Sequence, residues 1–258
     1  MRVALVGNQN SGKTSLFNCL TGSNQKVGNW PGVTIDRKEG VIKGTETILV
    51  DLPGIYSLSP YTSEEEVSRK YILEENPDVI INIVDATSLE RSLYLTTQLL
   101  ELDCQVILAL NMCDILEKKG ISIDEKELSK NLHMSVVKIS ALKNMGIQEL
   151  INLLKSEEIL DNKHQKIYED PIEKAIEKIS SQLNDLKHKR FISVKLLERD
   201  PLLKDKETEN IRHDITECEQ AYQLDMEQII ANQRYLYIDK VKQTCLTKTP
   251  VPESGTDK

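Results

Sequence analysis

The chain has 258 residues, 39% hydrophobic and 29% charged, with a net charge of −8. Such a composition builds one large globular domain or a domain and a half, and its sign disfavours general affinity for nucleic acid or an anionic membrane surface. No apolar run approaches the roughly 18 residues of a membrane span, and strand-like sequence from residue 2 argues against a signal peptide. The five cysteines and four histidines are scattered without metal-ligand spacing, so the thiols read as free in a reducing cytoplasm and no histidine is expected to hold a metal.

A first strand is expected over residues 2–6, followed by Gly7-Asn8-Gln9-Asn10-Ser11-Gly12-Lys13-Thr14 and a helix over 13–21 with Leu16, Phe17 and Leu20 on one face. The run fits G-x-x-x-x-G-K-[ST], and strand, glycine-rich turn and helix are the context this phosphate-binding loop requires. Gly7 and Gly12 let successive N–H groups converge on an anion, and the helix N-terminus adds partial positive charge. Lys13 supplies a cation for the β- and γ-phosphates, and the Thr14 hydroxyl is suited to Mg²⁺.

Gly28-Asn29-Trp30-Pro31-Gly32-Val33-Thr34 comes next and reads as a loop that orders and releases, with Thr34 as the switch I threonine by its order along the chain. Strands over 34–43 and 46–51, joined by Lys43-Gly44-Thr45, predict a hairpin and hence one antiparallel edge. Asp51-Leu52-Pro53-Gly54 then fits D-x-x-G, which in a phosphate-loop protein puts the carboxylate near Mg²⁺, usually through water, and the Gly54 N–H toward the γ-phosphate. A helix over 64–75 starts at a Ser63/Glu66 capping box and is closed by Pro77. A strand over 78–84, a helix over 89–101 and a strand over 105–110 follow.

Asn111-Met112-Cys113-Asp114 sits at that last strand's end as N-x-x-D, the guanine reader of small GTPases. A carboxylate accepts from guanine N1–H and the 2-amino group together, whereas adenine would leave it unpaired. A helix over 124–131 with a Ser122/Glu125 capping box, a strand over 136–139, Ser140-Ala141-Leu142 as the last nucleotide motif and a helix over 146–155 complete this part. The alternation predicts an α/β phosphate-loop GTPase fold, a mostly parallel six-stranded sheet with helices on both faces. Beyond about residue 160 only helix-period segments remain, over 171–186, 190–198 and 207–245, with Asp200-Pro201 as a break. The expected division is a GTPase domain over 1–158, a small all-α domain over 159–246 and a linker over 247–258.

These motifs, with the runs Asn29-Trp30-Pro31-Gly32-Val33-Thr34 and Leu89-Glu90-Arg91-Ser92-Leu93-Tyr94-Leu95, resemble Era-like GTPases of the TRAFAC class. Within that class the chain is similar to the cytosolic N-terminal part of the FeoB family of bacterial ferrous-iron transporters, firmly to about residue 155 and more loosely beyond, where Asn232-Gln233-Arg234-Tyr235 carries it. The resemblance implies a GTP-hydrolysing, Mg²⁺-dependent switch with a helical regulator that slows GDP release. Its phosphate contacts would be Gly7 to Ser15, Gly32, Val33, Thr34, Asp51 and Gly54, and its guanine contacts Asn111, Met112, Asp114, Ser140, Ala141 and Leu142. Mg²⁺ would lie on Thr14, Thr34 and, through water, Asp51. The catalytic set would be Asn10, Lys13, Thr34 and Gly54, with an activating K⁺ held by the Asn10 carboxamide and carbonyls near Asn29 and Trp30. The partners implied are GTP and GDP, a transmembrane permease region absent from this soluble stretch, no nucleic acid, and a homo-oligomer as an open option, at the cytoplasmic face of the cell membrane.

Three positions depart from common patterns. Gln9 stands where the family usually has Pro. Met112 replaces the Lys of many GTPases, which implies weaker binding and quick exchange. Ile55 follows D-x-x-G where Ras-like proteins place a water-orienting Gln, so a module that binds GTP without useful turnover stays open beside the switch. So does an Era-like GTPase of ribosome assembly or tRNA modification, although its usual basic appendage is missing.

Overall fold

The computed structural model describes residues 1–22, 25–156, 158–161, 166–184 and 186–248. Residues 249–258 of the expected linker lie outside them. The first half runs β1 (Arg2–Gly7), α1 (Lys13–Thr21), β2 (Gln25–Asn29), β3 (Asp36–Val41), β4 (Ile48–Asp51), α2 (Ser63–Lys70), β5 (Val79–Asp85), α3 (Leu89–Leu99) and β6 (Gln105–Asn111). It continues through α4 (Cys113–Glu117), β7 (Ile121–Ile123), α5 (Glu125–Leu132), β8 (Ser135–Lys138) and α6 (Ile147–Lys155). The helical part holds α7 (Asp170–Gln182), α8 (Lys189–Leu197), α9 (Glu209–Tyr222) and α10 (Met226–Cys245), and the described chain ends in β9 (Leu246–Lys248).

Among the described residues the main sheet has seven strands in the order β2-β3-β4-β1-β5-β6-β8. β1 pairs in parallel with β4 and β5, and β6 in parallel with β5 and β8, while β2 and β3 form the antiparallel edge. The seventh strand is β2, where a loop was expected. Its residues are mostly exposed, so it carries little of the apolar alternation by which a strand is recognised, and backbone pairing with β3 defines it.

Side chains of β1 alternate between two cores, as a period of two requires. Val3 and Leu5 pack with Leu16, Phe17 and Leu20 of α1 and with Leu150 and Leu154 of α6 on one face. Ala4 and Val6 join Leu93 and Leu99 of α3 and Leu128 of α5 on the other. The second core runs on without a break into the helical part, because α10 packs against both α3 and α5.

Helix starts differ from expectation by a residue or two. Thr62, not Ser63, caps α2, accepting from the Glu65 N–H, and Asp124, not Ser122, caps α5, accepting from Lys126 and Glu127. Ser122 lies instead in β7, which pairs with β9. Thr247 and Lys248, read as the start of a linker, therefore belong to a strand. The helix expected over 64–75 ends as a π-helical turn over Tyr71–Glu75, and the long segment over 207–245 splits into α9 and α10.

The helical part is locked onto the first by buried charge. Arg234, 0% exposed, donates to Glu198 at 2.6 Å and to Glu101, in the turn that follows α3, at 3.1 Å. Lys195 donates to Glu198 at 2.5 Å and to the Ser59 hydroxyl at 2.7 Å. Burial works against an ionised Glu198, yet Arg234 and Lys195 hold its carboxyl below the usual range. Among the described residues no helix is long and apolar enough to cross a membrane.

Candidate functional site

The four nucleotide motifs converge because they follow parallel strands of one sheet. Residues 7–14 leave β1, Asp51 to Gly54 leave β4, Asn111 to Asp114 leave β6 and Ser140 to Leu142 leave β8. All lie at the carboxyl ends of the strands, where open α/β sheets bind ligands.

The phosphate loop is tightly built. The Ser11 hydroxyl donates to the Asn8 carbonyl at 2.8 Å, closing the turn from within. Asn10 has φ 63°, a left-handed value that Asn tolerates better than most residues, and its side chain is exposed. Gly12 has φ 93° and caps α1, and a Cβ there would lie 2.3 Å from Asn111 Nδ2. No side chain fits at that position. Lys13 Nζ donates to Asp51 Oδ1 at 2.5 Å, with both side chains largely buried. Thr14 and Ser15 are exposed on the first turn of α1, beside this pair in sequence.

Gly54 also sits where a close approach requires glycine, since a Cβ would come within 2.9 Å of Gln9 Cγ and 3.3 Å of its Cα. Gln9 thus packs directly beside Gly54. The Ile55 N–H donates to the Gly7 carbonyl at 3.1 Å while its side chain is fully buried. The Ile55 side chain faces the core.

The base-reading loops are joined by Asn111. Its carboxamide donates to the Ser11 carbonyl at 2.9 Å and accepts from the Ala141 N–H at 3.2 Å, tying the phosphate loop to the loop after β8. Asn111 is therefore a brace between two motifs, while Asp114 presents the carboxylate. Met112, with φ 65°, turns the chain into α4 and puts Asp114 in its first turn. Asp114 pairs with Lys143, Nζ to Oδ2 2.5 Å, and that hydrogen bond holds the carboxyl below its usual range. Ala141 is buried and Leu142 is 92% exposed.

The segment expected as switch I is in part built into the sheet. Gly28 and Asn29 belong to β2, and the loop of residues 30–35 is closed by the Trp30 N–H donating to the Ile35 carbonyl at 2.9 Å. Trp30, 6% exposed, meets Tyr71 edge to face at 5.4 Å under the Arg37 guanidinium. Gly32 has φ 77°, Val33 is half-buried and Thr34 is exposed.

The segment after D-x-x-G is held by residues that carried no motif signal. Gln98 Oε1 accepts from the Leu58 N–H at 2.6 Å, and Glu65 accepts from the Tyr61 N–H at 3.0 Å. Arg69 pairs with Asp200 at 2.5 Å, and Lys195 reaches Ser59, so both ties cross from this segment to the helical part. A buried glutamine on α3 and a lysine inside an apolar helix were the available clues, but neither points to a partner.

Two family models match the chain: ferrous iron transport protein B over residues 1–154, and the FeoB cytosolic helical domain over residues 168–247. The chain belongs to the ferrous iron transport protein B family. It is 42% identical over 212 residues to the Fe(2+) transporter FeoB of Escherichia coli (strain K12), a match covering 78% of this chain and 27% of that relative. It thus spans only about a quarter of the length of such family members. A GDP-bound variant of the S. thermophilus FeoB G-domain superimposes with a TM-score of 0.89 at 42% identity, covering 96% of this chain and 100% of that one. NFeoB from S. thermophilus bound to GDP.AlF4⁻ and K⁺ gives a TM-score of 0.83 at 43% identity, covering 94% and 99%. The fold is that of a phosphate-loop GTPase domain followed by a helical domain, and the family match does not favour the Era-like ribosome or tRNA alternative.

Proposed function

We propose that this chain is the GTP-hydrolysing switch of a ferrous-iron transporter, with a slow intrinsic rate, working at the cytoplasmic face of the cell membrane beside a permease region of the same polypeptide. The observation that carries this reading is the convergence of Lys13, Asp51, Asn111 and Asp114 on one rim of the sheet, in a chain whose relatives are Fe²⁺ transporters. GDP-bound and GDP.AlF4⁻-bound relatives support guanine-nucleotide binding and hydrolysis.

The residues present fit Mg²⁺. The Asp51 carboxylate and the Thr14 hydroxyl are hard oxygen donors at adjacent motifs, and Thr34 lies exposed on a loop that contains Gly32. Mg²⁺ bound there would neutralise charge on the β- and γ-phosphates. Gly7 to Ser15, Gly32, Val33, Thr34 and Gly54 would cradle the phosphates. Asp114 would read guanine, with Met112, Ser140, Ala141 and Leu142 around the base and Asn111 bracing the loops. Asn10 offers an exposed carboxamide oxygen for K⁺, in keeping with the K⁺-bound relative. K⁺ would supply charge stabilisation of the kind an arginine gives elsewhere. We assign residues 1–158 to the switch and 159–246 to a helical regulator of GDP release.

Phosphate release from GTP by wild-type and Lys13→Ala protein tests the enzymatic half. Turnover that depends on Lys13 supports the switch, and binding without turnover favours a passive GTP-binding module. Fe²⁺ uptake by the full-length transporter carrying the same substitution tests the transport half, and unchanged uptake would break the link to iron.

A further inference from the structure

The contact between Asp114 and Lys143 occupies the same carboxylate that the guanine reading assigns to the base. The two claims on Asp114 are chemically alike. Guanine brings N1–H and a 2-amino group, and Lys143 brings an ammonium with three donors and no acceptor. Both satisfy a carboxylate with positively polarised hydrogens.

The backbone that carries Lys143 is fixed. Ser140 and Met145 exchange both backbone hydrogen bonds, at 3.0 and 3.1 Å, closing a tight loop with Lys143 near its tip. The Lys143 N–H donates to the Ser140 hydroxyl at 3.3 Å. At its exit Gly146 has φ 72°, and a Cβ there would meet the Lys138 carbonyl at 2.1 Å, so the loop packs closely on the end of β8. Behind it, Asn111 holds Ala141 to the phosphate loop. The carboxylate is equally fixed in the first turn of α4. The flexible element is the lysine stem, 49% exposed against 31% for the Asp114 side chain. The pair can open by rotation of one side chain, with no backbone motion.

We propose that Lys143 is an internal stand-in for guanine: its ammonium holds the acceptor edge of Asp114 until a base displaces it, and so sets the affinity for the nucleotide. This rests on the reading of Asp114 as the guanine acceptor. An empty site with a free carboxylate would take up guanine directly. With Lys143 closed on it, apparent affinity falls in proportion to the fraction of open molecules. Met112 strengthens the argument, since a thioether at that position adds no cation of its own to the rim.

The test is the GDP dissociation constant of wild-type, Lys143→Ala and Lys143→Arg proteins, with ADP as the control ligand, at low and high NaCl. Partly exposed ion pairs predict a twofold to fivefold tighter GDP complex, as a rough range, for Lys143→Ala. The gain should shrink at high salt, which screens the pair in wild type. Lys143→Arg keeps a cation on Asp114 and should bind GDP no more tightly than wild type. If wild type prefers GDP over ADP but Lys143→Ala binds it equally or more weakly, the stand-in is wrong and Lys143 supports the base instead. If wild type does not distinguish GDP from ADP, the guanine reading itself falls, and the stand-in with it.

Discussion

Lys13 and Asp51, 38 residues apart, are joined by a 2.5 Å ion pair that ties the phosphate loop to the end of β4. Each is the residue that its motif assigns to a nucleotide–metal complex, and here the two opposite charges neutralise each other. Binding must exchange this pair for phosphate on the lysine and metal on the carboxylate. Lys13→Ala removes a charge-assisted contact, and we expect GTP affinity to fall about 10- to 100-fold, with phosphate release lost. Titration with a fluorescent GTP analogue checks the first figure. Unchanged affinity would mean that Lys13 serves only to hold Asp51.

Base choice should reside in Asp114. We expect GDP to be preferred over ADP by a factor on the order of 10³ or more, because adenine leaves the carboxylate without donors. Asp114→Asn should shift preference toward xanthine nucleotides, since an amide donates where the carboxylate only accepted. Competition of XDP and GDP against a labelled nucleotide reads this out, and retained GDP preference in the variant would remove Asp114 from the role.

Trp30 reports on switch I. It is buried against Tyr71 under Arg37, on a loop that begins where β2 ends. If Thr34 is to meet a nucleotide-bound metal, the loop has to leave this packing. We expect a red shift or intensity change of the single tryptophan when a non-hydrolysable GTP analogue with Mg²⁺ replaces GDP. Identical spectra in the two states would argue that the loop does not switch.

Hydrolysis should be faster in KCl than in NaCl at equal ionic strength, because Ile55 is buried and supplies no polar group. Asn10→Ala should erase the difference while changing GDP affinity little. Asn10 adopts φ 63°, so Ala adds backbone strain, and Asn10→Gly gives the same deletion without it. Equal rates in the two salts with wild-type protein would require another group to do this work.

Arg234→Met should destabilise the chain by about 3–5 kcal/mol, since Glu101 would be left buried without its cation. Glu198 would keep Lys195, which makes Glu101 the weak point. A fall in the urea midpoint measures it, and a variant as stable as wild type would show that the apolar packing around Met offsets the stranded carboxylate.

The nucleotide loops were legible in the sequence because each is a contiguous run set by one ligand's chemistry, and the strands that present them are buried on both faces and therefore strongly apolar. What stayed hidden depends on distant partners. β2 is exposed and polar, β7 and β9 are three-residue strands that exist only through each other, and Thr62 and Asp124 displaced neighbouring caps that fit the same pattern. Asn111, expected as a base contact, also hydrogen-bonds the backbone of Ser11 and Ala141, a bracing use that N-x-x-D does not announce. Nothing local distinguishes these uses of a carboxamide. Arg69–Asp200 joins residues 131 apart, a separation at which one sequence gives no signal.

The pairing of β9 with β7 has a mechanical consequence. The helical part leaves the first part after α6 and returns to it through β9, so it is fastened at both ends like a handle rather than hung from one like a pendant. A pendant can swing through a wide cone; a handle can only tilt about the line between its two attachments. Lys248 therefore sits on the flank of β7, just before α5, and tension applied at Lys248 would load β7 and the end of α10 together.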